Sequence, residues 1–248
     1  MPYGLYISAE GAQVQSKRLD VIANNIANVD TVGFKRDLAV MQSRYAEAVE
    51  RGMATPGAGT IYDGGVQFRQ TVTDFSPGAL KKTGNPSDAA LQGDGFFVVQ
   101  KGQERLLTRA GNFRLTADGS LVTQQGYPVL GEGNSPIRLS PTAGPWEIDS
   151  AGSVNQGDTR QELQIVKPAL LGDLVKSGEN LFRPLADVRP VAPNERAVSG
   201  GYLEMSDVQP TTEMTTMIET SRLIEANLNV MKNHNEMLQG LIERVLKA

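Results

Sequence analysis

The stretch Thr211-Thr-Glu-Met-Thr-Thr-Met-Ile-Glu-Thr-Ser-Arg-Leu-Ile-Glu-Ala-Asn-Leu-Asn-Val-Met231 decides how this chain is organised. Met214, Ser221 and Leu228 stand seven apart, and Met217, Ile224 and Met231 form a second line at the same spacing. The first line continues through Asn235 and Ile242, the second through Leu238 and Val245. Paired positions repeating every seven residues are the seam of a coiled coil. Gly240 alone interrupts, and no Pro follows Pro210. Asn235 on the first line lowers stability but can fix register. The same stripe also suits a single helix buried in a core, but a period held for about 32 residues favours the coiled coil. His234 falls outside both lines and reads as a solvated or contact residue.

A long helix needs a partner, because most helical stability in proteins comes from packing. The other end of the chain offers one. From Tyr3 to Asn28 there is no Pro, and Leu5, Ala12, Leu19 and Ile26 lie seven apart with Ile22 beside them. That predicts a helix of roughly 25 residues, about 40 Å long, with one narrow apolar stripe. Ala and Gly in its first half permit close approach of another helix.

Between the ends the texture becomes short β-like runs broken by turn residues. Phe96-Phe-Val-Val-Gln100, then Lys101-Gly102, then Arg105–Arg109 read as a hairpin. Phe113-Arg-Leu-Thr-Ala-Asp-Gly-Ser-Leu-Val and Trp146-Glu-Ile-Asp-Ser-Ala-Gly-Ser-Val-Asn resemble each other, each a strand, a Gly turn and a second strand. Arg36–Val49 reads as a short helix or an extended arm, and Gly52–Gly65 as a loop. The predicted fold class is α+β. Residues 1–35 and 206–248 form a helical domain, 36–75 a connecting segment, and 76–205 an antiparallel all-β domain.

Composition excludes several chemistries. There is no Cys and one His among 248 residues, so disulfides, thiolate zinc sites and multi-histidine metal sites are ruled out. No Gly-x-Ser-x-Gly elbow, phosphate loop or complete Gly-x-Gly-x-x-Gly occurs. A net charge of −4 argues against nucleic acid as a partner. Asp94, Asp118 and Glu132 sit beside glycines, but Asp-Gly is first a turn signal. No run of residues is apolar and long enough to span a bilayer. Residues 1–30 lack the features of a cleaved leader, so the chain stays in the cytoplasm or leaves by a route that needs none.

Asp20-Val-Ile-Ala-Asn-Asn-Ile-Ala-Asn-Val-Asp-Thr-Val-Gly-Phe-Lys35 resembles the N-terminal signature of bacterial flagellar rod and hook proteins. Gly93-Asp-Gly-Phe-Phe-Val-Val99, Thr108-Arg-Ala-Gly-Asn-Phe113, Asp118-Gly-Ser-Leu-Val-Thr123 and Gly126-Tyr-Pro-Val-Leu-Gly131 match in order. Gly201-Tyr-Leu-Glu-Met-Ser-Asp-Val208 and Ser221-Arg-Leu-Ile-Glu-Ala-Asn227 complete the resemblance, which runs from about residue 5 to 248.

The resemblance implies a non-enzymatic subunit of the flagellar basal-body rod, without cofactor, metal or membrane insertion. Its partners would be copies of itself, other flagellar rod proteins and the flagellar type III export apparatus. Paired terminal helices would line the export channel, with the β domain outside, in a helical array in the periplasmic space. Export would proceed without signal cleavage. The length and the short span from Phe34 to Gly93 look like the proximal-rod type; the distal-rod type is the alternative. A soluble β-domain hydrolase, or an adhesin-like module oligomerised by its helices, is the reading from other function classes.

Helix packing is expected from Leu5, Ala12, Leu19, Ile22 and Ile26 against Met214, Met217, Ile224, Leu228, Met231, Leu238, Ile242 and Val245. Asn24 and Asn25 are expected to bond neighbouring subunits through their amides. Asn28 reads as a helix cap, Gly33 as a turn residue with positive φ, and Phe34 as an anchor.

Overall fold

A computed structural model describes residues 3–45, 63–140 and 144–246. The fold is α+β, with long helices at both ends and antiparallel β-structure between them. The elements are α1 (Tyr3–Ala27), β1 (Asp37–Tyr45), β2 (Asp63–Thr73), β3 (Leu80–Lys82), β4 (Ala89–Leu91), β5 (Phe96–Lys101) and β6 (Glu104–Thr108). Next come β7 (Arg114–Leu115), β8 (Leu121–Val122), β9 (Glu147–Ile148), β10 (Ser153–Gln156), β11 (Thr159–Glu162) and β12 (Ile165–Pro168). The chain continues through β13 (Leu174–Lys176), β14 (Phe182–Pro184), β15 (Val188–Pro190), β16 (Val198–Gly200) and β17 (Tyr202–Glu204) to α2 (Pro210–Leu246).

Contacts divide the chain into two compact units. One holds Met1–Ala27, Asp37–Asp74 and Val208–Ala248; the other holds Asn28–Arg36 and Phe75–Asp207. The 28–36 segment thus belongs with the β-rich unit, and most of the 36–75 stretch with the helices. The reason at 28–36 is a set of polar contacts described below. Arg36–Val49 is extended as far as it is described: β1 pairs antiparallel with β2 from Asp37 opposite Thr73 to Tyr45 opposite Asp63. The loop expected over Gly52–Gly65 lies outside the described residues except at 63–65, which begin β2.

In the helical unit, α1 packs on α2 and also on the β1–β2 ribbon. Pro210 suits the start of α2, where a missing N–H costs nothing, and acidic Glu213 sits in its positive first turn. The helices run antiparallel. A Cβ placed on Gly4 would lie 3.0 Å from His234 Nε2, and one on Gly11 would lie 3.2 Å from Asn227 Oδ1. Seven residues up one helix match seven down the other, and both glycines serve as gaps for polar side chains. Arg44 Nη1 on β1 reaches Glu10 Oε1 at 2.9 Å.

In the β-rich unit, β13, β14, β6, β5, β12 and β15 form a six-stranded sheet in that order. Phe97, Val99, Leu106 and Ile165 point into one apolar cluster, and Phe96, Val98, Leu107 and Val166 into another. Both faces of the sheet are buried, which explains why Phe96–Val99 reads as an unbroken apolar run. The hairpin expected there is present, β5 pairing with β6 from Phe97 opposite Thr108 to Lys101 opposite Glu104. Both similar segments also form strand pairs, β7 with β8 and β9 with β10.

Candidate functional site

The helix pair is the first candidate surface. On α2 the side turned away from solvent follows Glu213, Met217, Thr220, Ile224, Asn227, Met231 and His234, each at least half-buried. Their spacing alternates four and three, so a heptad seam exists. Only one of its two lines is the expected one. Met217, Ile224 and Met231 lie on it, whereas Met214, Leu228, Leu238, Ile242 and Val245 are exposed. The other line runs one residue earlier in each heptad, through Glu213, Thr220, Asn227 and His234. His234 therefore sits against α1 rather than on the polar face. The physical reason is complementarity: Gly4 and Gly11 leave room for an amide and an imidazole, so small gaps rather than apolar character set the line. On α1, Ile22 is buried and Leu5, Ala12, Leu19 and Ile26 are half-buried, together with buried Ser8 and Val14 that the stripe omitted.

The asparagines divide. Asn24 is exposed and Asn25 is buried. The Asn25 side-chain N–H donates to the Asp37 carbonyl at 2.9 Å, and its oxygen accepts from the Asp37 N–H at 2.9 Å. Its amide is engaged inside the chain, which differs from the neighbour contact expected of it. Asn28 does not take the left-handed conformation of a cap. It closes a turn after α1, its carbonyl accepting from Thr31 N at 3.1 Å and its side-chain oxygen from the Thr31 hydroxyl at 3.2 Å.

The segment from Val32 to Arg36 is the second candidate. Every residue in it is tied to the β-rich unit. The Asn180 amide donates to the Val32 carbonyl at 2.6 Å. Gly33 N donates to Glu204 O at 2.7 Å. Gly33 has φ +67°, as expected, and a Cβ there would lie 2.5 Å from Ala110 N. Phe34 is buried, with the Lys176 ammonium 4.3 Å above its ring centroid. That ammonium also donates to the Lys35 carbonyl at 2.6 Å. Arg36 N donates to Asp207 Oδ1 at 2.8 Å.

Lys35 holds the centre. It and Glu204 are each 1% exposed, and Lys35 Nζ stands 2.6 Å from Glu204 Oε1. Lys35 also donates to the Ser76 carbonyl at 2.7 Å, and Glu204 Oε1 accepts from Gly78 N at 3.1 Å. Arg109 Nη1 stands 3.5 Å from Glu204 Oε2, and its guanidinium lies 4.9 Å from the Phe96 ring centroid. Burial lowers the Arg109 pKa, opposed by the charge of Glu204. The constellation joins residues near 35, 76, 109 and 204, which are distant in sequence. Lys35 lies within the Gly-Phe-Lys motif, but a cation and an acid 169 residues apart carry no local signal of their pairing.

The carboxylates beside glycines do not converge. Asp94 pairs with Lys167, both more than half exposed. Glu132 pairs with Arg196, which also reaches Glu162 at 3.2 Å. Among the described residues no group of acidic or imidazole side chains could hold a metal ion, and no helix is long and apolar enough to cross a membrane.

The candidate surfaces are thus a pair of terminal helices in one unit and an ion-clamped Gly-Phe-Lys segment in the β-rich unit. Residues 5–35 match the flagella basal body rod protein model, 90–156 the flagellar hook protein FlgE/F/G D1 domain, and 199–244 the flagellar basal body rod FlgEFG protein C-terminal model. The chain is 34% identical to the flagellar basal-body rod protein FlgF of Caulobacter vibrioides over 248 residues, covering 100% of this chain and 99% of that one. It is 35% identical to FlgG of Bacillus subtilis over 260 residues, covering 96% and 97%. With FlgF of Mesorhizobium japonicum it shares 30% identity over 94% of this chain and 93% of the relative. The chain belongs to the flagellar basal-body rod protein family. It is a structural subunit of the flagellar basal body, and the family is structural rather than enzymatic.

Proposed function

We propose that the chain polymerises with copies of itself and with other rod proteins into an open helical array around the export channel, transmitting torque as a proximal-type rod subunit. One observation carries this reading. Helix α2 buries one seam of side chains against α1 while Met214, Ile218, Leu228 and Ile242 remain exposed on another face. A second apolar line along one helix has no use in a lone subunit and suits neighbouring helices. Asn24, exposed at the end of α1, is positioned to add a neutral amide contact.

The polar seam supports coupling of order to assembly. Glu213, Thr220, Asn227 and His234 contribute little apolar burial. The pair alone therefore offsets little of the ordering cost, about 1–2 kcal/mol per residue. A chain that reaches the periplasmic space through the flagellar type III apparatus, without signal cleavage, gains from helices that order only on arrival. Amide exchange tests this: rapid exchange over α1 and α2 in the free subunit is expected, and strong protection there overturns the coupling. Placing the chain by cryo-EM of isolated basal bodies tests the proximal reading against the distal one.

A further inference from the structure

The chain leaves the β-rich unit at three places: at Asn28 toward α1, at Arg36 toward β1 and at Asp207 toward α2. Hydrogen bonds inside that unit gather all three exits. Gly33 N donates to Glu204 O at 2.7 Å, Lys35 Nζ stands 2.6 Å from Glu204 Oε1, and Arg36 N donates to Asp207 Oδ1 at 2.8 Å. The segment that follows α1 is thus bonded to the segment that precedes α2. Phe34 N also donates to Thr31 O at 3.2 Å, which joins the turn after α1 to the buried stretch.

What holds this segment differs from what holds the helices. Gly33, Phe34, Lys35 and Glu204 are all buried. Releasing the segment strips Glu204 of Lys35, exposes the Phe34 ring, and takes the donor from the Ser76 carbonyl. Leaving a buried carboxylate short of its cation is among the costlier local events. The α1–α2 seam has no such lock, since Thr220, Asn227 and His234 on it are uncharged or weakly basic groups with little apolar surface. Local opening takes the least tightly held parts first, so the helices open before the segment does.

We propose that residues 32–36 act as a staple. The staple stays docked on the β-rich unit in the free subunit and holds the C-terminal end of α1 near the N-terminal end of α2 before either helix orders. The proposal rests on the reading above that the helices order on assembly. Residues 28–31 alone separate α1 from the staple, and residues 208–209 alone separate Asp207 from α2. Tethers this short make helix pairing an intramolecular event at an effective concentration in the millimolar range. Both helices then grow away from one point, which sets the antiparallel sense of the pair. Part of the ordering cost is met in advance, and assembly supplies the rest.

Residue-resolved amide exchange on the free full-length subunit tests the staple. The Gly33 amide is expected to exchange at least about a hundredfold more slowly than those of Leu19 in α1 and Leu228 in α2, since opening it breaks a buried ion pair. Leu121 N, which donates to Ile137 O at 3.0 Å, reports the core of the β-rich unit. Rapid exchange at Gly33, Leu19 and Leu228 alike, beside a protected Leu121, overturns the staple and leaves coupled ordering standing. Slow exchange at all four overturns coupled ordering, and the separate role of the staple with it. Lys35→Met is expected to bring Gly33 within about tenfold of Leu19 while Leu121 stays protected, and to lower retention of the chain in basal bodies about tenfold as the effective concentration falls. Unchanged protection of Gly33 in that variant, or unchanged retention once the protection is lost, overturns the staple. Where Lys35→Met also exposes Leu121, Lys176→Met takes its place: it removes the donor to the Lys35 carbonyl from a half-buried position, and the same two outcomes decide.

Discussion

Asn25 grips the backbone of Asp37 at both ends of its amide, donating to the carbonyl and accepting from the N–H, each at 2.9 Å. The last turn of α1 is thereby fastened to the first residue of β1, across the excursion through Gly33, Phe34 and Lys35. A bidentate amide satisfies two buried backbone groups with one uncharged side chain.

Replacing Asn25 with Ala removes both bonds and strands the Asp37 groups. A loss of about 2–4 kcal/mol of subunit stability is expected, from about 1–3 kcal/mol per unsatisfied group. Asn24→Ala, at an exposed position, is expected to cost clearly less stability than Asn25→Ala and to reduce rod yield. Urea unfolding of both variants beside rod yield in cells separates the two roles. Equal destabilisation by the two changes would contradict the assignment.

Glu204→Gln keeps the shape of the buried constellation and deletes its anion, leaving Lys35 and Arg109 facing each other. Breaking a buried pair by removing one partner costs about 3–5 kcal/mol. Lys35→Met is expected to cost less, because Arg109 remains beside Glu204. Thermal unfolding of the full chain ranks the two. The opposite order would show that Arg109 does not compensate Glu204 once Lys35 is gone.

Gly33→Ala places a Cβ 2.5 Å from the Ala110 nitrogen at φ +67°. The left-handed conformation alone costs an L-residue about 1–2 kcal/mol, and the clash adds to it. Gly133→Ala is the control: its φ is +81°, but nothing lies within 4 Å of the added atom. The first variant is expected to be clearly less stable than the second, and equal midpoints would refute the close approach.

Met231→Asp and Leu228→Asp are both expected to abolish assembly, for different reasons. Met231 lies on the line facing α1, whereas Leu228 is exposed. With cysteines at Gly11 and Asn227, disulfide closure within the chain reports the helix pair directly. Met231→Asp should suppress that closure and Leu228→Asp should leave it intact.

Arg196 donates to Glu132 and holds that carboxyl below its ordinary value of 4.5. A carboxylate with a depressed folded pKa stabilises fully above the unfolded value and loses that contribution as pH falls through the folded value. Glu132 is half exposed, so solvent screening keeps the effect small. Urea midpoints of the native chain are expected to decline on acidification below pH 4.5, and Arg196→Met should flatten that decline.

The sequence by itself determined the classes of element and their order. Heptad spacing gave two long helices and the Met217–Ile224–Met231 line, and turn residues between apolar runs gave the hairpins at Lys101-Gly102, Asp118-Gly119 and Ala151-Gly152. These are local properties, set by the period of a helix or strand and by the φ that a turn demands. Gly33 belongs with them, since its positive φ is a property of the residue. Which apolar line of α2 turns inward was decided only in three dimensions. Met214 and Leu228 are as apolar as Met217 and Ile224, and the choice fell to the gaps that Gly4 and Gly11 open for His234 and Asn227. The Lys35–Glu204–Arg109 constellation was also a tertiary outcome. Its charges come from distant segments, and burying them is favourable only once the surrounding fold brings opposite charges and hydrogen-bond partners to the same place.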